Sequence, residues 1–385
     1  MLKIRMVDSV CFDNWHLQFN YQLVEILSNI ADIVEYRGVQ HIGENKPNIK
    51  RKELFVVTSS SRRGIIFRYL FSMLNDIWQL MVAPYDEIIV YSFDSISVRI
   101  LNILNKVLRK RIILFRHGSM EMLQVNPSGK GMFYRFENKL IKQFFLNQDL
   151  RISDNLHFFV LGDIIIKNLS VLLSEDKIKH FHSIEHPYVF DKNSLYKHRE
   201  INTTQLYVGT LGVFNEYKGG RSILELVKIL KFKGIDNINI SVTGKIDFDI
   251  SLLRDAGIDL PSNEGESMVS IGELKDRINQ LDFILYFYPK DIYRLTASGA
   301  VFEAINRKRP IIAIRNEYFE YIFKKYGSIG YLVDTVDEMA DIIYRISSGI
   351  ENHVDYNFEQ IQKLLSTDNI AIILEEQLRE IGFID

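Results

Sequence analysis

Residues 298–313 read SGAVFEAINRKRPIIA, which places a small Ser-Gly step before a helical pattern and a proline before a buried strand. The backbone N–H groups in the first turn of a helix lack intrahelical partners and carry the positive end of the helix dipole. Gly299 has no side chain, so an anion can approach these groups closely. Glu303 follows on roughly the same helical face, where its carboxylate could accept hydrogen bonds from sugar hydroxyls. The stretch predicts either a phosphate-binding helix start or an ordinary crossover helix capped by Ser298.

The composition is that of a globular chain with room for two domains. Its 385 residues are 47% hydrophobic and 25% charged, with a formal net charge of −2. The near-neutral charge argues against nucleic acid as a partner, and the length favours two domains of about 150 residues each. The single cysteine, Cys11, excludes an intrachain disulfide, so we expect a cytoplasmic protein. Because no uncharged apolar run reaches about 18 residues, we expect any membrane contact to be peripheral, at the inner face.

Strand and helix patterns alternate along the chain, which is typical of βαβ units on a parallel sheet. The apolar runs that predict strands in the first half include 2–10, 53–60, 87–93 and 111–119. Ligands bind at the carboxyl ends of the strands in such sheets. This rule predicts one rim that carries Asp13, His16, the serines at 59–61 and His117.

A polar stretch, DKNSLYKHREINTTQ, interrupts this alternation at 191–205 and predicts a domain boundary. A second alternation follows it. We therefore expect an N-terminal, acceptor-side Rossmann-like domain over 1–190, a linker over 191–205 and a C-terminal domain over 206–350. The last residues, 351–385, are predicted to form a C-terminal helix that returns to the N-terminal domain.

Several well-known site motifs are missing from the sequence. The phosphate-binding pattern GxxxxGK[ST] does not occur, and FDNWH (12–16) stands where a GxGxxG fingerprint would follow the first strand. The nucleophile pattern GxSxG is absent as well. ATPase, dinucleotide-dependent oxidoreductase and α/β-hydrolase functions therefore lose their best support.

Four segments stand in order in the second half: VGTLGVFNEYKGG (208–220), SVTGK (241–245), LDFILYFYP (281–289) and SGAVFEAINRKRPIIA (298–313). Their order and spacing resemble the donor-binding domain of the GT-B glycosyltransferases, in particular family 4 (glycosyl transferases group 1). The resemblance covers about 206–345 and reaches the first domain only through topology and His117. It implies an α/β fold of two Rossmann-like doubly wound domains facing across a cleft, the second binding a nucleotide sugar.

The resemblance also implies roles for individual residues. Lys218 and the backbone N–H groups of Ser298, Gly299 and Ala300 would contact the diphosphate of the donor, and Glu303 would hold its ribose. The other donor-side candidates are Gly244, Lys245, Tyr288 and Arg294. His117 would lie near the transferred sugar as the catalytic residue. The acceptor-side candidates are Asp13, His16, Arg62, Arg63 and Arg116.

No cofactor is expected beyond the nucleotide sugar itself as co-substrate, and no metal. The helix dipole and Lys218 can stabilise a departing diphosphate without a metal ion. Asp247-Phe-Asp249 forms the DxD triplet that binds manganese in the other glycosyltransferase fold, but a chain of this length is expected to contain such a triplet by chance.

Two positions depart from the family pattern. The family usually has two glutamates separated by seven residues, and Leu295 stands where the first would fall. It also commonly has an arginine where Thr210 stands, and Arg294 or Lys245 could supply the missing charge. Three functions stay open: a hexosyltransferase-type enzyme of bacterial surface polysaccharide synthesis acting on a glycan or lipid-linked oligosaccharide, a catalytically degenerate GT-B binding module that partners an active enzyme, and a sugar-nucleotide epimerase.

Three predicted helices of the first half combine basic and large apolar residues: 62–74, 97–111 and 130–145. Such faces suit a peripheral enzyme on an anionic membrane. The alternative is that the apolar residues form core and the charges an ordinary solvated face.

Overall fold

The computed structural model describes residues 1–43, 46–59, 61–93, 96–188, 190, 205–351 and 356–385. The linker expected at 191–205 and Ser60 of the expected rim therefore lie outside the described residues, apart from residue 205. The chain divides into two compact units. The first comprises Met1–Val189, Arg294–Ala297 and Lys363–Asp385, and the second comprises Phe190–Tyr293 and Ser298–Gln362.

The first unit contains a parallel sheet of seven strands. They are β1 (Lys3–Val7), β2 (Ile33–Arg37), β3 (Ile49–Lys52), β4 (Glu87–Tyr91), β5 (Arg111–Phe115), β6 (Leu156–Leu161) and β7 (Phe181–Ile184). The strand order is β3-β2-β1-β4-β5-β6-β7. The order reverses between β1 and β4, and ligands of such sheets bind outside the carboxyl ends of the strands at this switch.

The prediction of a strand at 53–60 is wrong. The strands that the structure has between β1 and β4 are β2 and β3, and residues 53–59 are irregular. Arg68 holds this segment, because its guanidinium donates hydrogen bonds to the carbonyl oxygens of Val57 (2.7 Å) and Ser59 (2.6 Å). Phe55, which the apolar run would bury, is 67% exposed. The run thus forms a loop held by a side chain and not a member of the sheet.

Helices connect these strands or follow them. They are α1 (Leu17–Ile30), α2 (Arg62–Val82), α3 (Val98–Leu108), α4 (Met132–Phe145), α5 (Asp163–Ser170) and α6 (Glu175–Ile178). A short 3-10 helix, Ser119–Leu123, follows β5. The core between sheet and helices is apolar and includes Met6, Leu23, Val90 and Phe115.

The second unit has a smaller parallel sheet and a separate pair of short strands. The strands of the unit are β8 (Leu206–Leu211), β9 (Phe214–Asn215), β10 (Ile238–Thr243), β11 (Ile246–Asp247), β12 (Phe283–Tyr286), β13 (Ile311–Ile314) and β14 (Gly330–Val333). Five of them form the sheet in the order β10-β8-β12-β13-β14, and β9 pairs with β11 separately. The switch in strand order lies between β8 and β12, which is where a doubly wound sheet binds its ligand.

The helices of the second unit begin with α7 (Gly220–Phe232). The others are α8 (Ile250–Asp255), α9 (Ile271–Gln280), α10 (Gly299–Asn306), α11 (Glu317–Tyr326) and α12 (Val336–Ser347). The chain ends in α13 (Phe358–Leu364) and α14 (Thr367–Glu380), separated by two residues. Helix α14 packs on α1 and β7 of the first unit, where the Gln377 amide donates a hydrogen bond to the Ser183 carbonyl oxygen at 2.7 Å.

Candidate functional site

The first turn of α10 lies beside the turn that follows β8. A β-carbon at Gly212 would lie 4.0 Å from the β-carbon of Ala300. The turn after β10 reaches the same place, because a β-carbon at Gly244 would collide with the carbonyl oxygen of Gly212. Gly244 also has φ 128°, in a region that side chains disfavour. Glycine at 244 therefore allows two neighbouring strand ends to meet beside the helix start.

The start of α10 is left uncapped within the described part of the chain. Ser298 is the N-cap residue, but its side chain accepts no hydrogen bond from the helix. The N-cap side chains of α11 and α12, Asn316 and Thr335, each accept one. The Ser298 hydroxyl instead lies 3.4 Å from that of Tyr288. The N–H groups at the start of α10, beside the exposed Gly299, can therefore serve an anionic ligand.

Lys218 lies next to a pair of stacked tyrosines. Its Nζ is 5.8 Å from the ring centre of Tyr288 and 6.0 Å from that of Tyr293, within reach of cation–π attraction. The two rings stack at 4.6 Å with an interplanar angle of 18°. Glycine at 219 allows the backbone next to Lys218 to pack closely on Phe287, because a β-carbon there would collide with the β-carbon of Phe287. Lys218, Tyr288 and Ser298 thus form one group in the second unit.

Tyr293 is a residue that the sequence did not single out. It has φ 60°, in the left-handed region that a bulky residue rarely adopts. Its only signal in the sequence is the aromatic run YFYPKDIY around Pro289. Burial raises the pKa of Tyr288 well above its ordinary value, so that hydroxyl keeps its proton and can donate it in a hydrogen bond.

Two other donor-side candidates are engaged in ion pairs. Glu303 accepts a hydrogen bond from Arg307 Nε at 2.9 Å, and the two side chains are only 16% and 8% exposed. Lys245 pairs with Asp247 at 2.9 Å. Asp249, the second carboxylate of the DxD triplet, caps α8 through the Ser251 N–H. Among the described residues, no three His, Cys, Asp or Glu side chains are grouped so that they could hold a metal ion.

Arg294 belongs to the first unit with the rest of segment 294–297. Its carbonyl oxygen accepts a hydrogen bond from the Asn168 amide at 2.9 Å. The Thr296 hydroxyl donates to the carbonyl oxygen of His117, also at 2.9 Å. Leu295, which stands at the position of the missing glutamate, is fully buried, and its N–H donates to Glu121 Oε1 at 2.9 Å. The structure thus groups this segment with His117 and Glu121.

His117 lies at the carboxyl end of β5 among aromatic rings. Its Nε2 bonds to the carbonyl oxygen of Ser92 at 2.8 Å and must therefore carry the proton of that bond. The ring centres of Phe19 and His16 are 3.7 and 5.1 Å away. Burial, and then the neighbouring His16, hold the pKa of His117 well below its ordinary value. The neutral imidazole therefore has Nδ1 as its unprotonated nitrogen, which can accept a proton or a hydrogen bond.

The loop after β1 brings His16 to this group. Asp13 and His16 both have left-handed backbone angles, with φ 48° and 53°, and Asp13 is exposed. Burial lowers the pKa of His16 to about 4. Arg68 supports the loop, because its guanidinium carbon lies 4.4 Å from the ring centre of Phe12. Arg68 was not recognised in the sequence, since its partners are backbone oxygens and rings distant along the chain.

The three arginines expected on the acceptor side lie in different surroundings. Arg62 and Arg63 are exposed in the first turn of α2. Arg116 is 1% exposed, with its guanidinium carbon 5.4 Å from the ring centre of Phe145. The structure therefore places Arg116 in the core of the first unit and leaves the other two at its surface.

The chain is similar in structure to solved glycosyltransferases. WaaG, a glycosyltransferase involved in lipopolysaccharide biosynthesis, matches with a TM-score of 0.54 and 13% identity over 97% of this chain and 95% of its own. TarM matches with a TM-score of 0.63 and 10% identity over 99% of each chain. A point mutant of S. aureus TarM, solved with Fondaparinux, alpha-GlcNAc-glycerol and UDP, matches with a TM-score of 0.54 and 13% identity over 81% of this chain and 59% of its own.

No family model and no curated protein matches the sequence. The structural similarity therefore concerns the fold, and it confirms the predicted fold class of two Rossmann-like units. By its architecture, the chain belongs to the GT-B fold of the glycosyltransferases, the fold that its resemblance to family 4 predicts.

Proposed function

We propose that this protein transfers a sugar from a nucleotide sugar to a glycan or lipid-linked oligosaccharide in bacterial surface polysaccharide synthesis. The observation that carries the proposal is the uncapped start of α10 at the switch point of the second sheet. Lys218 lies near Tyr288, whose hydroxyl is 3.4 Å from that of Ser298 at this helix start. WaaG acts in lipopolysaccharide biosynthesis, and the TarM mutant was solved with UDP, which supports both the process and the donor class.

The donor diphosphate would bind at the start of α10. The N–H groups of Ser298, Gly299 and Ala300 and the ammonium group of Lys218 would share its negative charge. Glu303 would accept hydrogen bonds from the ribose, and its ion pair with Arg307 holds the carboxylate in one orientation.

Transfer breaks the bond between the anomeric carbon and the diphosphate oxygen, and the electron pair leaves with the diphosphate. The acceptor hydroxyl forms the new carbon–oxygen bond and loses its proton, so the products are the glycoside, a nucleoside diphosphate and a proton. In our proposal the helix start and Lys218 stabilise the negative charge that builds on the leaving diphosphate, and no metal ion takes part. Neutral His117 would accept a hydrogen bond from the sugar or the acceptor at Nδ1.

A peripheral contact with an anionic membrane is the second part of the proposal. Helix α2 turns its polar side chains inward, namely Arg68, Ser72, Asp76 and Gln79. It exposes large apolar ones instead, namely Phe67, Leu70, Phe71, Leu74, Trp78 and Met81. The exposed Arg62 and Arg63 begin the same helix. An apolar stripe with arginines at its end matches the hydrocarbon and the negative headgroups of an anionic lipid surface.

The apolar stripe of α2 continues onto the neighbouring helices. Tyr69 of α2 and Phe133 of α4 pack at 4.7 Å between ring centres. Met132 and Phe136 on α4 and Ile103 and Val107 on α3 are exposed as well. None of the described helices is long and apolar enough to cross a bilayer.

A degenerate GT-B module that binds without catalysis is the alternative that a specific observation favours. Leu295 is buried at the position of the first family glutamate, and Thr210 is buried at the position of the arginine. Neither side chain carries the charge of the glutamate or the arginine that it replaces. This alternative retains nucleotide binding and loses transfer.

Release of nucleoside diphosphate from UDP-glucose, UDP-galactose, UDP-N-acetylglucosamine and GDP-mannose separates the two functions. A transferase consumes at least one donor and speeds up when membrane extract supplies acceptor. Glu303→Ala should abolish this release, while the exposed Lys228→Ala on α7 should leave it unchanged. A chain that binds nucleotide but releases none from any donor is a binding module.

A further inference from the structure

We propose that aromatic side chains after β1, β4 and β5 form a subsite for one sugar ring of the acceptor glycan. In naming the acceptor, the inference rests on the proposed transferase function. Trp15 and His16 follow β1, and Phe93 and His117 follow β4 and β5. These strands are neighbours in the order β1-β4-β5, and all of them belong to the first unit. The subsite therefore lies at the switch in strand order, where a doubly wound sheet binds its ligand.

The rings of this group contact one another and are open to solvent. The ring centres of Trp15 and Phe93 are 5.5 Å apart, and that of His16 lies 5.6 Å from Trp15 and 5.3 Å from Phe93. His117 joins them through His16, at 5.1 Å. All four side chains are partly exposed, whereas Phe19, which packs on His117, is 5% exposed. The group thus differs from the core next to it and presents ring surface to a ligand.

Polar atoms of the same side chains have no hydrogen-bond partner in the part of the chain that the structure describes. This holds for the indole N–H of Trp15 and for both ring nitrogens of His16. It also holds for Nδ1 of His117, since the bond to Ser92 uses Nε2. Burial lowers the pKa of His16 to about 4, so at neutral pH its ring carries one donor and one acceptor. The subsite therefore offers uncharged donors and acceptors at the edges of its rings.

A buried polar network holds the loop that carries Trp15. The Gln40 amide nitrogen donates hydrogen bonds to the carbonyl oxygens of Asp13 (2.9 Å) and Trp15 (2.8 Å). The Gln40 amide oxygen accepts one from the Asn20 amide at 2.9 Å, and the same amide donates to Asp8 Oδ2 at 2.6 Å. Gln40, Asn20 and Asp8 are all buried. The platform is thus preorganised, and little conformational entropy is lost when a ligand binds to it.

Aromatic rings with uncharged donors and acceptors at their edges match the chemistry of a sugar. One face of a pyranose ring presents C–H groups that pack on an aromatic ring, and its edge presents hydroxyls that donate and accept hydrogen bonds. A phosphate is best bound by a free cation, but Arg68, which lies 5.7 Å from the Trp15 ring, is buried and already donates to two carbonyl oxygens. A hydrocarbon chain would leave the indole and imidazole nitrogens unpaired. We therefore assign the subsite to the glycan part of the acceptor.

The indole N–H of Trp15 is a direct reporter for the test, which uses the full chain. The chain has two tryptophans, so an NMR spectrum of the nitrogen-labelled protein contains two indole signals, and Trp15→Phe identifies the one from Trp15. The probes are the methyl glycosides of glucose, galactose, N-acetylglucosamine and rhamnose. Glycerol is the control for a polyol without a ring, and geranyl phosphate is the control for a lipid. At least one glycoside should shift the Trp15 signal saturably and leave that of Trp78 unchanged.

Variants then locate the bound glycoside, with its affinity measured by saturation-transfer NMR detected on the sugar. Trp15→Leu should weaken binding about tenfold, because it removes both the ring face and the N–H donor. Trp15→Phe keeps a ring face and should weaken binding only about threefold. Tyr21→Leu is the matched control and should bind as the wild type does. Tyr21 is an exposed ring on α1 of the same unit, and within the described residues it contacts no other ring. Thermal unfolding of each variant checks that it is folded.

A Trp15 signal that no glycoside shifts, or that glycerol shifts equally, would overturn the inference. A shift with geranyl phosphate alone would overturn it as well, because the occupant would then be the lipid. Unchanged glycoside affinity in folded Trp15→Leu would place the sugar elsewhere. These results leave the transferase function standing if the wild-type chain consumes one of the nucleotide sugars named above. Glycoside binding at Trp15 by a chain that consumes none of them would instead retain the sugar subsite and contradict the transfer reaction.

Discussion

Glycines at two strand ends decide whether the start of α10 can bind an anion. Gly244 has φ 128°, and a side chain there would collide with the Gly212 carbonyl oxygen. A β-carbon at Gly212 would in turn lie 4.0 Å from that of Ala300. The open helix start and the close approach of β8 and β10 therefore depend on the absence of one methyl group. Backbone groups form this part of the proposed donor site, and Lys218 and Glu303 contribute side chains to it.

Gly244→Ala should destabilise the second unit by about 3 kcal/mol, because the substitution combines an unfavourable φ with a steric clash. Gly257→Ala is the control, since Gly257 has φ 80° but nothing within 4 Å of an added β-carbon. It should cost only about 1 kcal/mol. Urea unfolding followed by circular dichroism checks both, and equal losses in the two variants would contradict the steric account of Gly244.

The sequence predicts those candidate site residues that stand in a recognisable local pattern. Lys218 precedes two glycines, Gly299 opens a helical pattern, and His117 ends a strand, so each has a signal among its immediate neighbours. Tyr293 has no such signal. Its stacking on Tyr288 accompanies a left-handed backbone angle, which is not visible in a single sequence.

At the scale of elements, α2 is inverted relative to an ordinary surface helix. Its Asp76 accepts hydrogen bonds from the hydroxyls of Ser9 and Ser97, both at 2.6 Å, and its Gln79 accepts one from Arg37 at 2.6 Å. The inner face of the helix is thus a polar network that holds strand ends and loops. Large apolar side chains are left on the outer face, where Trp78 is 59% exposed.

The outward face of α2 predicts binding to anionic vesicles. Phe71→Glu with Trp78→Glu should abolish flotation with phosphatidylglycerol vesicles, because the pair removes apolar area and adds negative charge. The fold should be unaffected, since both side chains are exposed. Arg62→Ala with Arg63→Ala should weaken flotation, and the weakening should be largest at low salt, where the charges are least screened.

Phosphatidylcholine vesicles are the control for the lipid charge, and they should bind far less of the wild-type chain. Equal flotation with both lipids, or none with either, would contradict the membrane assignment. If the wild-type chain dimerises in solution and the Phe71→Glu, Trp78→Glu variant is monomeric, the stripe on α2 is instead an interface between copies of the chain.

The elements themselves were largely predictable, because apolar periodicity marks most strands and helices. The exceptions have physical reasons. Strand β2, IVEYR, alternates apolar with charged residues over only five positions, which gives a weak signal. Residues 53–59 contain an apolar run but are held as a loop by Arg68. Helix α2 has the apolar face that its sequence pattern predicts, but periodicity cannot tell whether that face is turned to the core or to solvent.

At the scale of the molecule, the histidines of the first unit make its stability depend on pH. Burial lowers the pKa of six of them: His16, His117, His157, His180, His182 and His186. Each binds fewer protons when folded than when unfolded, so stability falls as the pH drops below the unfolded value of about 6.5. Asp8 opposes this effect, because burial raises its pKa to about 6. Because six histidines reduce stability in acid and one aspartate increases it, we expect a net loss of stability at low pH.

We therefore expect the first unit to lose stability between pH 6.5 and 5. His157 is 8% exposed and has a pKa of about 3, and it alone lowers the free energy of unfolding by about 2 kcal/mol over this pH range. The chain has two tryptophans, Trp15 and Trp78, and both lie in the first unit, so their fluorescence in a denaturant titration reports on that unit. A midpoint that is the same at pH 7 and pH 5 would show that these histidines are not neutral in the folded protein.

The two units differ in how directly they support a function. The second unit presents an open helix start, a lysine near the tyrosine that contacts this start, and a glutamate four residues into the helix, all within one parallel sheet and its helices. The first unit presents a neutral histidine and an apolar helix face. Nucleotide binding in the second unit is the step on which the transferase function depends.

Calorimetric titration of the chain with UDP, GDP, CDP and dTDP tests that step most directly. At least one of the four should bind, Lys218→Ala should weaken its binding about 10- to 100-fold through loss of a charged contact, and Lys228→Ala should not change it. Binding of none of the four to the folded wild-type chain, or unchanged binding in Lys218→Ala, would contradict a nucleotide site at the start of α10.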